Sequence, residues 1–254
     1  MIKISNLAVS RGNRRIISDV TFTVHDGEVV GIVGANGCGK STLMMALHRS
    51  LIPDTGQVFI DGENIADMSR RQIARRMATV AQERDAVLPL TVRDAIGLGR
   101  LANRDLVGYG DEADQELIDE AMARVELTDL ADRLVTELSG GERQRVMIAR
   151  AIAQQSSHLL MDEPTNHLDL RHQFALLDLI AELGRTTVIV LHDLNLAARC
   201  CSQIILLDGG KVAARGTPTQ VFTPQILEPI YGLKVHTVRV GGRVNLLFDN
   251  QPWE

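Results

Sequence analysis

Hydrophobic and polar positions change their period along this chain, and the changes mark out its elements. From Ile2 to about Val24 apolar and polar residues alternate loosely, as in "IKISNLAVS" and "VTFTV". That two-residue period predicts antiparallel strands near a sheet edge. The segment "GEVVGIVG" breaks the alternation with the first strongly apolar run, and further runs follow at His158 to Met161, Thr187 to Leu191 and Ile204 to Leu207. Each is short, apolar on both faces, and followed or preceded by a helical stretch. This pattern predicts mainly parallel strands with helices on both faces.

The middle of the chain reads differently. Between about Arg84 and Gln155 there is no comparable buried strand, and "LTVRDAIGLGRL", "DEADQELIDEAMARV" and "GERQRVMIARAIAQQ" all have helical spacing. In the second of these, Ala113, Leu117, Ile118, Ala121, Met122 and Val125 are expected on one apolar face. A single domain of residues 1–254 is expected, with core portions at about 1–84 and 156–254 and an inserted helical subdomain at about 85–155. "NRDLVGYGDEAD" would be an exposed loop within the insertion, and "KVHTVRVGGRVNLLFD" a hairpin turning at Gly241-Gly242.

Composition narrows the class. A chain of 254 residues can bury one α/β domain with an insertion, or two modest domains. Aromatic residues make up only 3%, so an aliphatic core is expected. The net charge of -5 speaks against sequence-independent nucleic-acid binding, and no nucleic-acid partner is expected. Cys38, Cys200 and Cys201 provide no disulfide framework, which suits a reducing compartment. No secretory pattern and no apolar run of membrane-spanning length is visible, so action at a membrane would need a partner.

The chemistry begins at "GANGCGKST", Gly34-Ala35-Asn36-Gly37-Cys38-Gly39-Lys40-Ser41-Thr42, between an apolar strand and an apolar helix start. Glycines let successive backbone N–H groups converge on a phosphate, and the helix that follows points its positive end there. Strand, loop and helix together identify the phosphate-binding loop of a P-loop NTPase core and hence a bound nucleoside triphosphate. Lys40 is expected at the β- and γ-phosphates and the Ser41 hydroxyl on Mg²⁺. "HLLMDE" ends an apolar strand in the adjacent carboxylates Asp162 and Glu163. Standing alone they would be an acidic strand end. Beside a phosphate loop, Asp162 is expected to hold Mg²⁺ through water and Glu163 to polarise the attacking water.

"LSGGE" is a second signal. Ser139 and Glu142 have the spacing of a capping box, which by itself predicts only a well-capped helix. Yet Gly140 and Gly141 are poor helix formers and belong where backbone N–H groups approach an anion closely. One chain thus carries two anion-facing helix starts and a lysine in only one of them.

The ordered set "GANGCGKST", Gln82, "LSGGERQ", "LLMDEPTNHLD" and "LHD" closely resembles the ATP-binding subunits of ABC transporters, over nearly the whole chain. The resemblance implies a head-to-tail homodimer with ATP and Mg²⁺ held between the phosphate loop of one copy and the "LSGGE" residues Ser139, Gly140, Gly141 and Glu142 of the other. It implies that Gln82 joins Ser41 and Asp162 around Mg²⁺, and that His192 bonds the γ-phosphate and positions Glu163 and water. Asp169 would lie in the loop that signals across the dimer, although locally it could be another helix N-cap. Family members commonly carry an aromatic residue on adenine where this chain has Arg11 before Gly12. A guanidinium can also stack on a base, so Arg11 is assigned to adenine.

Among such proteins the chain has no fused membrane segment, no second ATP-binding unit and no long coiled-coil insertion. "VLPLTVRDAIGLGR", "LHDLNLAARCCSQIILLDGGKVAARGTP" and "VFTPQILEPIYGLKV" resemble the importers of iron-siderophores, haem and cobalamin. That implies uptake of a metal chelate, ferric siderophore first, with haem or cobalamin next. It implies two transmembrane permease subunits, an extracytoplasmic substrate-binding protein and a peripheral place on the cytoplasmic face of the cell membrane. A soluble ABC ATPase acting in cofactor assembly or nucleic-acid maintenance is the alternative.

Overall fold

The computed structural model describes residues 1–81, 89–103 and 112–252, the last three of them by backbone alone. The chain forms two compact units, residues 1–67 with 184–254, and residues 68–183. Along the first unit run β1 (Ile2–Arg11), β2 (Arg14–Val24), β3 (Val29–Val33), α1 (Lys40–Leu47), β4 (Thr55–Ile60) and β5 (Glu63–Asn64). The second unit contains α2 (Arg70–Arg76), β6 (Met77–Val80), α3 (Val92–Gly97), α4 (Glu112–Arg124), α5 (Gly140–Ala153), β7 (His158–Asp162) and α6 (Leu170–Glu182). The chain then returns to the first unit as β8 (Thr186–Val190), α7 (Leu194–Cys200), β9 (Gln203–Asp208), β10 (Lys211–Gly216), α8 (Pro218–Val221), α9 (Pro224–Tyr231), β11 (Leu233–Val240) and β12 (Arg243–Pro252).

In the first unit an antiparallel sheet runs β2-β1-β4-β5. Strand β3 pairs in parallel with both β8 and β9, and β10 closes antiparallel on β9. Strand β3 is buried on both faces, so it does not alternate polar with apolar: Val30, Ile32 and Val33 are all buried, as are Val188, Ile189 and Val190 on β8. β11 and β12 form the expected hairpin, with Gly241 and Gly242 both at positive φ in its turn. The core is aliphatic, Phe22 and Phe222 being the largest fully buried side chains.

The second unit packs α3, α4 and α5 together and pairs β6 with β7 in parallel. Two readings of helix α4 need correcting. Ala113 is exposed and Asp114 is buried in its place. The reason is an ion pair: Arg100 Nε lies 2.7 Å from Asp114 Oδ1, with both side chains about nine-tenths covered. The hydrophobic period treats every acid as solvated, and here one is paired inside. The loop reading also overran the helix: α4 starts at Glu112, within the stretch whose spacing from Asp111 predicted a helix, and residues 104–111 of that loop lie outside the described residues. The strands β4, β5, β6 and β10 were not foreseen: β5 and β10 carry little apolar sequence, and the apolar runs of β4 and β6 are only a few residues long.

Candidate functional site

The phosphate loop connects β3 to α1, and its glycines take left-handed backbone conformations that other residues rarely adopt. Gly34 has φ +150°, and a Cβ there would fall 2.2 Å from the Leu207 carbonyl oxygen. Gly39 has φ +109° and serves as the N-cap of α1, without any side-chain cap. The first N–H groups of α1 are therefore left to a ligand rather than to the chain's own side chains. Lys40 is buried, and its ammonium curls back over the loop to donate to the Gly34 carbonyl at 2.8 Å and the Ala35 carbonyl at 3.2 Å. Ser41 is half-buried, Thr42 buried, and Asn36 and Gly37 exposed. The loop is braced from outside by a bond from the Gly210 N–H to the Cys38 carbonyl at 3.1 Å. Burial pushes the Cys38 thiol up from its usual range, against the opposing pull of the Lys40 charge. The thiol is a packed wall of the loop, 2.8 Å from where a Cβ on Gly34 would lie.

In the same unit His192 lies exposed between the end of β8 and the start of α7. Arg11 ends β1 at the exposed tip of the β1–β2 hairpin, its Nη2 2.9 Å from Met45 Sδ on α1. The guanidinium is thus tethered to the helix that begins at the phosphate loop.

In the second unit Asp162 is the last residue of β7 and Glu163 follows it. Glu163 is buried, takes a left-handed φ of +55°, and accepts from Asn166 Nδ2 at 2.7 Å. A non-glycine residue in that region is uncommon, and here it bends the chain sharply at the end of β7. Asn166 was not singled out from sequence; its spacing of three residues from Glu163 is a signal only once the turn is known.

The α5 start is built as the capping box expected of it. Glu142 N–H donates to Ser139 Oγ at 3.3 Å, while the Ser139 N–H and hydroxyl both donate to Glu142 Oε2 at 2.7 Å. Those bonds from Ser139 hold the Glu142 carboxyl below its ordinary range. Gly140 and Gly141 receive a neighbouring turn: a Cβ on Gly140 would meet the His167 side chain at 3.5 Å, and one on Gly141 would lie 3.0 Å from the His167 carbonyl oxygen. A cavity of about 510 Å³ opens here, lined by residues that include Ser139, Gly140, Gly141, Arg145, His167 and His172. Asp169 is indeed the N-cap of α6, and it accepts from both the backbone N–H of His172 and its Nδ1, at 2.9 and 2.8 Å. The N–H bond first, and the ring second, lower the Asp169 carboxyl from its ordinary range. Sequence reasoning missed His167, His172 and Arg145 as wall residues, since each reads locally as a solvated side chain. Gln82 lies outside the described residues.

The structure thus gathers Gly34 to Thr42 into one cradle and Ser139 to Glu142 into another. Residues 17–166, more than half of the chain, match the family described as ABC transporter. The chain belongs to that family. It is an ABC ATPase with the α/β fold of the ATP-binding cassettes. It is 40% identical over 232 residues to the ferric enterobactin transport ATP-binding protein FepC of Escherichia coli (strain K12), covering 90% of this chain and 86% of that protein. It is also 40% identical over 241 residues to the hemin import ATP-binding protein HmuV of Bordetella pertussis, covering 90% of this chain and 91% of the relative. Among solved structures it resembles an inward-facing ABC transporter of metal-chelate type, with TM-score 0.82 at 25% identity over 100% of this chain and 97% of that one. It likewise resembles the dimeric cassette MJ0796, with TM-score 0.76 at 30% identity over 86% of this chain and 99% of that one.

Taken singly, the Ser41 hydroxyl in the first unit and the Asp162 carboxylate in the second are hard oxygen donors of the kind Mg²⁺ prefers. Among the described residues no group of three or more His, Cys, Asp or Glu side chains could hold a metal. An ion carried chiefly by phosphate oxygens and water needs no such group.

Proposed function

We propose that this ABC ATPase powers an importer of a metal chelate, ferric siderophore before haem or cobalamin. The observation that carries the cargo class is the likeness, over nine-tenths of the chain, to proteins named for ferric enterobactin transport and hemin import. That likeness favours import over a soluble role in cofactor assembly or nucleic-acid maintenance. The partners would be a second copy of this chain, two permease subunits and, through them, an extracytoplasmic binding protein. Since no described helix is long and apolar enough to cross a membrane, the chain would reach the cytoplasmic face through its permease. Its helical subdomain, about 85–155, would make that contact, with the remainder of 1–254 as core.

The residues would divide the work as follows. Gly34 to Gly39 wrap backbone N–H groups round the phosphates, and Lys40 leaves its loop carbonyls for the β- and γ-phosphate oxygens. Ser41, Gln82 and, through water, Asp162 would hold Mg²⁺, which when bound neutralises charge on the β- and γ-phosphates. Glu163 takes a proton from the attacking water, and His192 bonds the γ-phosphate and keeps that water in line. Arg11 covers the adenine. Ser139, Gly140, Gly141 and Glu142 of the other copy close over the terminal phosphate, so that binding shuts the dimer and hydrolysis reopens it.

The test is complementation in cells lacking this chain, measured as accumulation of a radiolabelled ferric siderophore. Wild type restores uptake. Glu163→Gln restores none and hydrolyses ATP roughly 10²–10³-fold more slowly, because a general base is lost, while ATP binding persists and closed dimers accumulate. Normal turnover by Glu163→Gln would remove Glu163 from its role, and uptake that never depended on the wild-type chain would remove the cargo.

A further inference from the structure

Asn195 ties the C-terminal hairpin to the helix that starts beside His192. Its side-chain Nδ2 donates to the Leu246 carbonyl at 3.1 Å, and its Oδ1 accepts from the Leu246 N–H at 2.7 Å. One amide thus satisfies both backbone groups of one β12 residue, as a neighbouring strand would. Asn195 also sits inside the cap of α7: Asp193 Oδ1 accepts from the N–H groups of Asn195 and Leu196 at 2.7 and 3.1 Å. His192 immediately precedes that cap.

Helix α7 has 7 residues, well under the length at which a helix persists without help. Its placement must come from what holds its sides. Leu194, Leu196 and Ala197 are buried. At its far end Cys201 fills the space above Gly31 of β3, where a Cβ would come within 2.7 Å of the thiol sulfur. The remaining face is held by Asn195. The anchor it grips is firm, because Val235, Val244 and Leu246 are buried on the inner face of the hairpin. A two-turn helix fixed by its apolar side alone can still roll, and a double-ended amide bond to a packed strand stops the roll at the turn next to His192.

We propose that Asn195 is a positioning residue for ATP hydrolysis: by clamping α7 to Leu246 it fixes the backbone from which His192 reaches the nucleotide. The C-terminal hairpin is then part of the catalytic apparatus. This rests on the role given to His192 above. A merely structural asparagine would loosen the hairpin and leave turnover alone.

A double-mutant cycle in the full chain separates the cases, with single-turnover ATP hydrolysis, ATP affinity by direct titration, and amide hydrogen exchange as readouts. Asn195→Ala is expected to slow hydrolysis about tenfold, a loss typical of a small misplacement of a reacting group. ATP affinity stays unchanged. The Leu246 amide loses protection while the amides of β3 and β8 keep theirs. In a His192→Ala chain the same substitution has no further effect, because the group it positions is gone. Asn195→Asp, which keeps the acceptor for the Leu246 N–H and removes the donor, carries the same cycle if Asn195→Ala does not fold. Rates that fall multiplicatively in the double variant would overturn the proposal, as would a wild-type rate in Asn195→Ala despite lost Leu246 protection. If His192→Ala itself turned over normally, His192 would lose its role and Asn195 with it. A slow His192→Ala with a multiplicative double variant would sink Asn195 alone.

Discussion

The two glycine-bearing helix starts of this chain look alike in sequence and are built in opposite ways. At α1 the N-cap is Gly39, no side chain caps the helix, no acid lies in the first turn, and a buried lysine waits on the loop carbonyls. At α5 the N-cap is Ser139, the cap is reciprocal, and a carboxylate already occupies the first turn. The first start presents uncapped N–H groups and a lysine, the donors an anion requires. The second, partly satisfied by its own Glu142 and without a lysine, has positive dipole and donors to add but too little to hold a triphosphate alone. Half-sites of this kind make sense when another molecule brings the phosphate to them.

The contrast predicts unequal consequences for equivalent substitutions. Lys40→Ala should have the largest effect, weakening MgATP binding by roughly a hundredfold or more, since a charge-assisted contact to phosphate is lost; equilibrium titration of the isolated chain reads it. If affinity survived, the α1 cradle would not be the primary site. Ser139→Ala should come next and differ in kind. Titration of the isolated chain should show unchanged ATP affinity, while turnover falls by about ten- to a hundredfold, as when one preorganised donor is lost. The missing cap should also cost about 1 kcal/mol of stability in urea unfolding. Parallel loss of affinity in the isolated chain would mean that both cradles serve one nucleotide within one copy. Smallest is Arg11→Ala, expected to weaken ATP binding about three- to tenfold through lost stacking on the base. An unchanged affinity would free Arg11 from the adenine.

How far the sequence alone reached follows the same division. Strand β3, its loop and α1 could be read because burial on both faces, glycine spacing and a lysine each left separate marks that agree. The reciprocal cap at Ser139 and Glu142 was legible for the same reason: its chemistry is local, confined to four consecutive residues. What stayed hidden depends on contacts distant in sequence. Asp114 turned inward because of Arg100, and periodicity has no means of pairing them. His167 walls the cavity at Gly140 because a turn after β7 folds onto α5, which no local pattern announces. Asn195 reads as an ordinary helical residue until Leu246, far along the chain, is placed against it. Short edge strands such as β5 and β10 carry little apolar sequence, so they too appeared only with the fold.

Mixing two impaired chains tests the shared site most directly. Lys40→Ala lacks the first cradle and Ser139→Ala weakens the second, yet a head-to-tail pair of the two contains one site with both halves intact. Equal amounts of the purified variants, assayed together for steady-state phosphate release, should regain about a quarter of wild-type activity, since half the dimers are mixed and each keeps one of two sites. Activity no greater than the average of the two variants assayed separately would contradict a nucleotide shared between copies.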